Sequence, residues 1–313
     1  TGWQRLYGEY SSRHGSFSYR VSLGAENNMK AGDDGFSIFA FSPTLLFSYR
    51  LNKRNILRLR LDSETMMPDI QQMSGNRILI MENFYRRGNA DVHNSTGYQS
   101  RLIYSYNVPR KLIVQADAHY NRTGGFLYDS FVQDGGAWYL ETCNAHHYSE
   151  TGMNMIVTYL PWKWLRLGVD FSADRQTIKE TASSEAYGDW LFPVYLNASA
   201  VWGNWALSYR QTYGGKMLDG LYRKGLEKVS YLSLTYGWKN WQFGAQCLFP
   251  FYDDKYSNET VSIAPVRHVT QINLRTKNRE FGFTISWFFQ RGKENNSVKS
   301  LENSDVDSGV FKF

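Results

Sequence analysis

The chain has 313 residues and a mass of 36.3 kDa, and aromatic residues make up 16% of it. Lys and Arg exceed Asp and Glu by 35 to 29, but the basic residues are scattered singly, which argues against a nucleic-acid partner. Mean hydropathy is -0.49 and no run of 18 apolar residues occurs, so the sequence excludes a transmembrane helix. It does not exclude membrane strands, because these alternate apolar and polar residues and have modest mean hydropathy.

Alternation of apolar and polar residues is the first pattern along the chain. Leu57, Leu59 and Leu61, for example, alternate with Arg58 and Arg60. Such runs predict half-buried antiparallel strands. The predicted strands are thirteen, at residues 3–11, 15–26, 36–51, 55–63, 97–107, 111–122, 147–160, 163–173, 192–202, 204–213, 227–238, 240–251 and 279–290.

Tryptophans bracket three of the tight turns between these strands. The three pairs are Trp162 and Trp164, Trp202 and Trp205, and Trp238 and Trp241. An indole ring at the shoulder of a short polar turn is typical of a membrane–water interface. The alternative is that these rings pack at hairpin corners of a soluble all-β protein.

Long polar connections separate the strands at the opposite end. They lie at residues 27–35, 64–96, 123–146, 174–190, 214–226 and 253–278. Short turns at one end and long loops at the other are typical of an antiparallel transmembrane β-barrel in the outer membrane of a Gram-negative bacterium. The all-β barrel is expected to span residues 1–290, in contact with outer-membrane lipid, and 291–313 to form a polar tail.

Two of the long connections are expected to carry further strand structure. Residues 126–145 are predicted to form a hairpin that rises above the membrane. Residues 265–276 are predicted to extend the last strand outward.

The odd number of strands bears on closure. Bacterial single-chain barrels have an even number of strands, whereas plugged outer-membrane transporters have 22. Thirteen strands then correspond to the C-terminal part of a 22-stranded barrel, with nine strands and a plug upstream. The alternative is a complete barrel of about fourteen strands.

One segment carries a family pattern. Residues 68–73 read P-D-I-Q-Q-M, residues 87–92 read R-G-N-A-D-V, and Tyr98 opens the next strand. This resembles the P-x-I-x-Q-L … G-N-P-x-L-x-P-E … Y segment of TonB-dependent receptor barrels, especially the outer membrane protein beta-barrel family typical of Bacteroidetes. Ala90 and His93 depart from the two prolines that are usual there.

The resemblance implies a receptor or transporter that captures a ligand on extracellular loops. It implies a TonB complex as partner, reached through an upstream plug that this chain does not contain. Some relatives also bind a surface lipoprotein. The alternative function is a self-contained outer-membrane pore or structural barrel without energy coupling.

Aromatic residues in two long connections are the candidate ligand contacts. Tyr128, Phe131, Trp138 and Tyr139 lie among glycines, and Tyr187 and Trp190 form a second group. Aromatic rings on an extracellular loop can stack against a sugar or hold a peptide. The alternative is that the loop packs on itself.

No catalytic set, cofactor site or metal site is predicted. The six histidines form no HExxH motif and no evident triad, so an outer-membrane enzyme is disfavoured. His146 and His147 lie near Cys143, but adjacent residues of a strand point to opposite faces and cannot share one ion without a bulge.

Four arginines are predicted to face the barrel interior, where charge is tolerated. They are Arg58, Arg60, Arg166 and Arg210. They either attract an anionic ligand or pair with Asp62, Asp117 and Asp170, and pairing is the preferred interpretation.

Overall fold

Alternating sequence places most of the chain in antiparallel strands. The computed structural model describes residues 2–30, 36–225, 228–251, 256–262, 269–274 and 279–289. The elements are β1 (Gly2–His14), β2 (Phe17–Lys30), β3 (Phe36–Arg50), β4 (Asn55–Met66), α1 (Ile70–Met73), β5 (Ile78–Met81), β6 (Phe84–Arg87), β7 (Ser95–Val108), β8 (Leu112–Asp134), β9 (Ala137–Trp162), β10 (Leu165–Lys179), β11 (Tyr187–Leu191), β12 (Val194–Trp202), β13 (Trp205–Tyr213), β14 (Lys216–Asp219), β15 (Tyr222–Gly225), β16 (Ser230–Trp238), β17 (Trp241–Leu248), β18 (Tyr256–Ser262), β19 (Val269–Leu274) and β20 (Glu280–Trp287).

Thirteen strands form the path of the main sheet. Their order is β1-β2-β3-β4-β7-β8-β9-β10-β12-β13-β16-β17-β20. Each strand pairs with its sequence neighbour along this path, and these are the strands that alternation predicts. Within the described residues, β1 and β20 each have one partner, so the sheet has two free edges and the barrel is not closed.

The two faces of the main sheet differ in chemistry. Because side chains alternate along a strand, each strand contributes to both faces. The apolar face carries large exposed side chains such as Leu6, 76% exposed, and Phe283, 82% exposed. The polar face carries Arg58, Asp117 and Ser233, each of which lies opposite a polar residue of one neighbouring strand. This division is that of a membrane barrel wall.

The two ends of the sheet differ in connection length. At the tight-turn end, short turns join β1 to β2, β3 to β4, β7 to β8, β9 to β10, β12 to β13 and β16 to β17. Gly15 and Gly203 adopt positive φ angles in two of these turns. Positive φ matches the twist of a short hairpin connection. The opposite end, the long-loop end, carries the other connections.

A second sheet lies within the long-loop connections. Its order is β14-β15-β18-β19, all antiparallel. The expectation that residues 265–276 extend the last strand is wrong for the part that is described, because β19 pairs with β18 from Val261 opposite Val269 onward. The segment forms its own hairpin instead of joining β20. The predicted tail at 291–313 lies outside the described residues, in which no helix is long and apolar enough to cross a membrane.

Candidate functional site

The longest hairpin of the sheet projects beyond its neighbours at the long-loop end. β8 and β9 have 23 and 26 residues, and their pairing extends to Asp134 opposite Ala137, interrupted at Gly125 and His146. The pairing of β9 with β10 ends at His147 and Lys179. Residues 124–147, here called the projecting hairpin, therefore rise roughly 30 Å beyond the sheet. This confirms the further hairpin that the sequence predicts.

A second hairpin, formed by β5 and β6, docks on the projecting hairpin. β6 runs parallel to β9, from Phe84 opposite Trp138 to Arg87 opposite Glu141. Arg87 Nε lies 2.5 Å from Glu141 Oε2, and Arg87 Nη1 lies 3.1 Å from Asp134 Oδ2. The hydrogen bond to Glu141, assisted by Asp134, raises the pKa of Arg87. The ion pairs hold β6 against the projecting hairpin.

Two of the predicted ligand aromatics are buried where this hairpin pairs with the projecting hairpin. Tyr139 is 3% exposed, and its ring stacks on Tyr85 at 5.6 Å between centroids. The guanidinium of Arg87 lies 4.1 Å from the centre of the same ring. Phe131 is 5% exposed and stacks on Phe84 at 6.1 Å. Both rings therefore contribute to packing between the two hairpins.

Tyr128 is buried nearer the base of the projecting hairpin, opposite Cys143. Its hydroxyl donates a hydrogen bond to Glu180 Oε1 at 3.0 Å. Burial, together with the charge of Glu180, raises the pKa of Tyr128, so the phenol stays protonated. The surrounding apolar cluster joins the projecting hairpin to β10 and to the turn that follows β14. Its buried members are Tyr128, Ala145, Ile178, Leu218 and Leu221.

The remaining predicted aromatics are more accessible. Trp138 and Tyr187 are half-buried, and Tyr187 packs against the apolar cluster. Trp190 is 49% exposed and stacks on Phe192 at 5.7 Å with an interplanar angle of 8°. Burial thus favours the packing interpretation for Tyr128, Phe131 and Tyr139. Of the six, Trp190 offers the most open ring to a ligand.

The family-like motif has a structural role in the connection between β4 and β7. Asp69 caps α1, since its Oδ1 accepts from the N–H of Gln72 at 2.7 Å, while Gln72 Oε1 accepts from the N–H of Asp69 at 2.9 Å. Asn89 N donates to the carbonyl of Gln72 at 2.7 Å. A Cβ at Gly88 would overlap the carbonyl of Gln71, so only glycine fits. The motif closes this connection into a compact loop.

The end of that loop is hydrogen-bonded to the projecting hairpin. Asn144 Oδ1 accepts from the N–H of His93 at 2.9 Å, and Asn144 Nδ2 donates to the carbonyl of His93 at 2.9 Å and of Gly125 at 2.7 Å. Ser95 Oγ donates to the same Gly125 carbonyl at 2.7 Å. Gly125 has φ +62, and a Cβ there would meet the His93 ring. The long-loop end is therefore built from interlocked connections.

The His146 and His147 pair lies at the base of the projecting hairpin. The two rings are 5.1 Å apart, closer than regular alternation of adjacent strand residues places them. Burial lowers the pKa of His147, with Arg122, His146 and Lys179 adding to the shift. Burial also raises the pKa of Cys143 to about 11, so its thiol is protonated at neutral pH. No group of three potential ligands in the described chain is arranged to hold a metal ion.

The four predicted arginines lie on the polar face of the main sheet. Arg60 Nε is 2.8 Å from Asp62 Oδ1, which is one of the pairings the sequence predicts. Arg58 occupies the same strand two residues away. Arg166 lies opposite Ser199 and Arg210 opposite Tyr231, in less charged surroundings. The predicted partner Asp117 pairs instead with Arg101, at 3.5 Å.

A buried polar network on β7–β10 escapes the sequence analysis. His119, 8% exposed, has Nδ1 at 3.3 Å from Asp117 Oδ1 and Nε2 at 3.2 Å from Asp174 Oδ1. Glu150 Oε1 lies 3.6 Å from the same Nε2. The contact with Asp174 is close enough for an ion pair but is not aligned as a hydrogen bond, which leaves Asp174 Oδ1 without one. The only signal is that Asp117 and His119 share the polar side of one predicted strand.

The six bracketing tryptophans lie together at the tight-turn end. Their exposed fractions range from 39% to 58%. Trp162 stacks on Trp164 at 5.3 Å with an interplanar angle of 4°, whereas the other two pairs face each other across their hairpins. Trp287 on β20 extends the row by stacking on Trp241 at 6.0 Å. The arrangement forms a band of exposed indoles along this end.

Solved structures with the same fold are transporters and receptors. The chain superposes on a structure titled copper transporter OprC with a TM-score of 0.68 at 12% identity, over 91% of this chain and 49% of that one. For the FrpB iron transporter from Neisseria meningitidis the TM-score is 0.65 at 13% identity, over 90% and 44%. For the ferric enterobactin receptor PfeA from Pseudomonas aeruginosa it is 0.55 at 14% identity, over 76% and 40%.

The chain spans about half the length, or less, of these structures. No curated protein matches the sequence. A family model described as the outer membrane protein beta-barrel family matches residues 4–287, which includes all of the main sheet except the first two residues of β1. Together with the two-faced antiparallel sheet, this match identifies the chain as a member of the outer membrane protein beta-barrel family, located in the bacterial outer membrane.

Proposed function

We propose that this chain forms part of the wall of a TonB-dependent transporter, which captures its ligand at the long-loop end. The observation that carries the proposal is the thirteen-stranded sheet with one polar and one apolar face and two free edges among the described residues. A sheet with free edges cannot span a bilayer unless the edges are paired. We propose that further strands pair with these edges and close the barrel.

The comparison with solved structures supports a larger barrel. The chain covers 49% and 44% of the copper and iron transporters, respectively. Plugged transporters have 22 strands, so thirteen strands correspond to more than half of such a wall. We propose that the remaining strands and a plug complete the protein, and that the plug provides contact with the TonB complex.

The chemistry of the two ends supports an orientation. The band of indoles at the tight-turn end suits the periplasmic membrane–water interface, where each ring contacts acyl chains and headgroups. The projecting hairpin then lies outside the cell, with Trp190 as the most accessible predicted contact. β5 offers four consecutive exposed apolar residues, Ile78–Met81, on this side. This exposed strand supports the proposal of a surface lipoprotein partner.

A transport role is proposed in preference to an enzymatic one. The same-fold structures are titled as transporters and receptors of copper, iron and ferric enterobactin. We propose that the ligand here is a solute of one of these kinds, and ferric enterobactin, ferric ions and copper are the first compounds to test.

Uptake by cells tests this function. The natural full-length protein would be expressed in a host that lacks its own iron and copper receptors, with and without a working TonB complex. We expect accumulation of at least one test solute to require TonB, and Trp190→Ala to weaken it while Trp202→Ala at the other end does not. Accumulation at the same rate without TonB would instead support the self-contained pore.

A further inference from the structure

A groove on the polar face of β1–β4 is unusually rich in arginine and serine. It has a volume of about 790 Å³ and lies near the tight-turn end, away from the projecting hairpin. Five arginines and a single carboxylate line it. These charged residues are Arg13, Arg20, Arg50, Arg58, Arg60 and Glu9.

Strand register arranges part of this groove as a row across four strands. Arg13 lies opposite Ser18, Ser18 opposite Ser48, and Ser48 opposite Arg58. Neighbouring strands are about 4.8 Å apart, so the row is roughly 14 Å long, with a guanidinium at each end and two half-buried hydroxyls between. Arginine side chains are long enough to reach inward over the serines from both ends.

Only some arginines of the groove have a carboxylate that balances their charge. Arg20 Nε lies 3.4 Å from Glu9 Oε1, and Arg60 pairs with Asp62. Arg58 has no carboxylate partner among the described residues. Arg13 Nε donates to the carbonyl of Gly15 at 3.3 Å, and Arg13 has no carboxylate partner within the same residues. Two positive charges therefore flank the serine pair without a protein counter-ion in the described chain.

We infer that this row is a binding site for solutes that carry phosphate or carboxylate groups. A guanidinium presents paired N–H donors that match the oxygens of such groups, and a serine hydroxyl supplies a further donor. The volume lies within the range of small-molecule sites, roughly 300 to 1,000 Å³. The inference rests on the proposed function, because it places the site on the wall of the transport path and favours anionic solutes over the bare metal cations proposed for testing.

A second groove on the same sheet provides a contrast. On β16, β17 and β20, a cavity of about 210 Å³ is lined by Ser, Thr, Gln, Tyr, Gly and Ala, without a charged side chain. Uncharged polar side chains like those of the second groove are sufficient to keep a barrel interior hydrated. The arginines of the first groove therefore exceed what solvation of the wall requires.

Titration of the purified protein tests the site. Calorimetry would follow binding of inorganic phosphate and pyrophosphate to the full-length protein in detergent, with chloride at equal ionic strength as reference. We expect Arg13→Gln combined with Arg58→Gln to weaken binding by about 10-fold to 100-fold, since two charge-assisted contacts are lost. Arg210→Gln, which removes an arginine from the same face, is the matched control and should leave the affinity within about twofold, less than 0.5 kcal/mol.

Three outcomes would overturn the inference. They are phosphate binding no stronger than chloride binding, equal loss in Arg210→Gln, and a full-length structure in which an acidic segment of the protein occupies the row. Migration of folded and unfolded protein on gels would confirm that each variant is folded. Phosphate binding without TonB-dependent uptake would reject the proposed function alone, whereas TonB-dependent uptake without phosphate binding would reject this site alone.

Discussion

Two parts of the polar face, here called walls, differ in whether their polar side chains are charged or neutral. The charged wall, on β1–β4 and β7–β10, carries arginines, carboxylates and the buried His119. The neutral wall, on β16, β17 and β20, carries Ser, Thr and Gln side chains. On the neutral wall, hydroxyl pairs such as Ser208 with Ser233 on the adjoining strands, 2.6 Å apart, satisfy one another.

The contrast shows that one barrel face can be polar in two energetically different ways. A hydroxyl can exchange its partner for water at little net cost, whereas a buried carboxylate without a partner costs several kcal/mol. The charged wall is therefore specific, because each buried charge requires a particular neighbour. The neutral wall is permissive, and its substitutions should have small effects.

The largest expected effect comes from moving a charge to the apolar face. Leu59→Arg places an arginine between Arg58 and Arg60 but toward lipid, and we expect a loss of about 2 to 4 kcal/mol. Ser233→Arg puts the same side chain on the neutral wall and should cost less than about 1 kcal/mol. Urea unfolding from lipid vesicles, followed by tryptophan fluorescence, would measure both. Equal losses would contradict the assignment of the two faces.

The next effect tests the specificity of the charged wall. His119→Leu leaves Asp117, Glu150 and Asp174 without the imidazole between them, and we expect destabilisation of about 2 to 3 kcal/mol. Thr284→Val on the neutral wall is the matched control and should change stability by less than about 0.5 kcal/mol. The same unfolding assay applies. A comparable loss in both variants would remove the distinction between the walls.

A smaller effect on stability is expected in the connection between β4 and β7, at the long-loop end of the charged wall. Gly88→Ala introduces a Cβ against the Gln71 carbonyl, and we expect a cost of about 1 to 2 kcal/mol confined to that loop. Faster proteolysis between β4 and β7 would report it. Gly75→Ala, where the Cβ meets nothing within 4 Å, is the control in the same loop. Equal cleavage of the two variants would contradict the role given to Gly88.

The last prediction concerns the alkylation rate of Cys143 on the projecting hairpin. With Cys247 replaced by Ala, alkylation of Cys143 should increase about tenfold between pH 9 and pH 10, because burial raises its pKa to about 11. A thiol with an ordinary pKa near 8.5 would level off there. A plateau near pH 9 would show that Glu141, Asp129 and burial do not act on Cys143 as described.

Much of the fold could be predicted because strand periodicity is a local property. The thirteen strands of the main sheet, the tight turns and the projecting hairpin follow from alternation and turn residues. The β18–β19 hairpin could not be predicted, because apolar alternation does not indicate which strand a segment pairs with. Register is fixed by contacts between strands, which the sequence of one strand does not contain.

The site was less predictable for the same reason. Aromatic residues among glycines are equally typical of a ligand site and of a packed loop, and the docking of β6 on β9 buries Tyr139 and Phe131. His119 meets Asp174 because β8 and β10 both flank β9, a relation that spans 55 residues of sequence. Arg13 and Arg58 are aligned in one row only by the registers of three successive pairings.

A structure of the natural full-length protein in lipid nanodiscs would show how the barrel is closed. We expect β1 and β20 each to pair with a further strand, the barrel to be plugged, and the charged and neutral walls both to face its interior. Direct pairing of β1 with β20 in a closed barrel without a plug would contradict the transporter assignment and favour the self-contained pore.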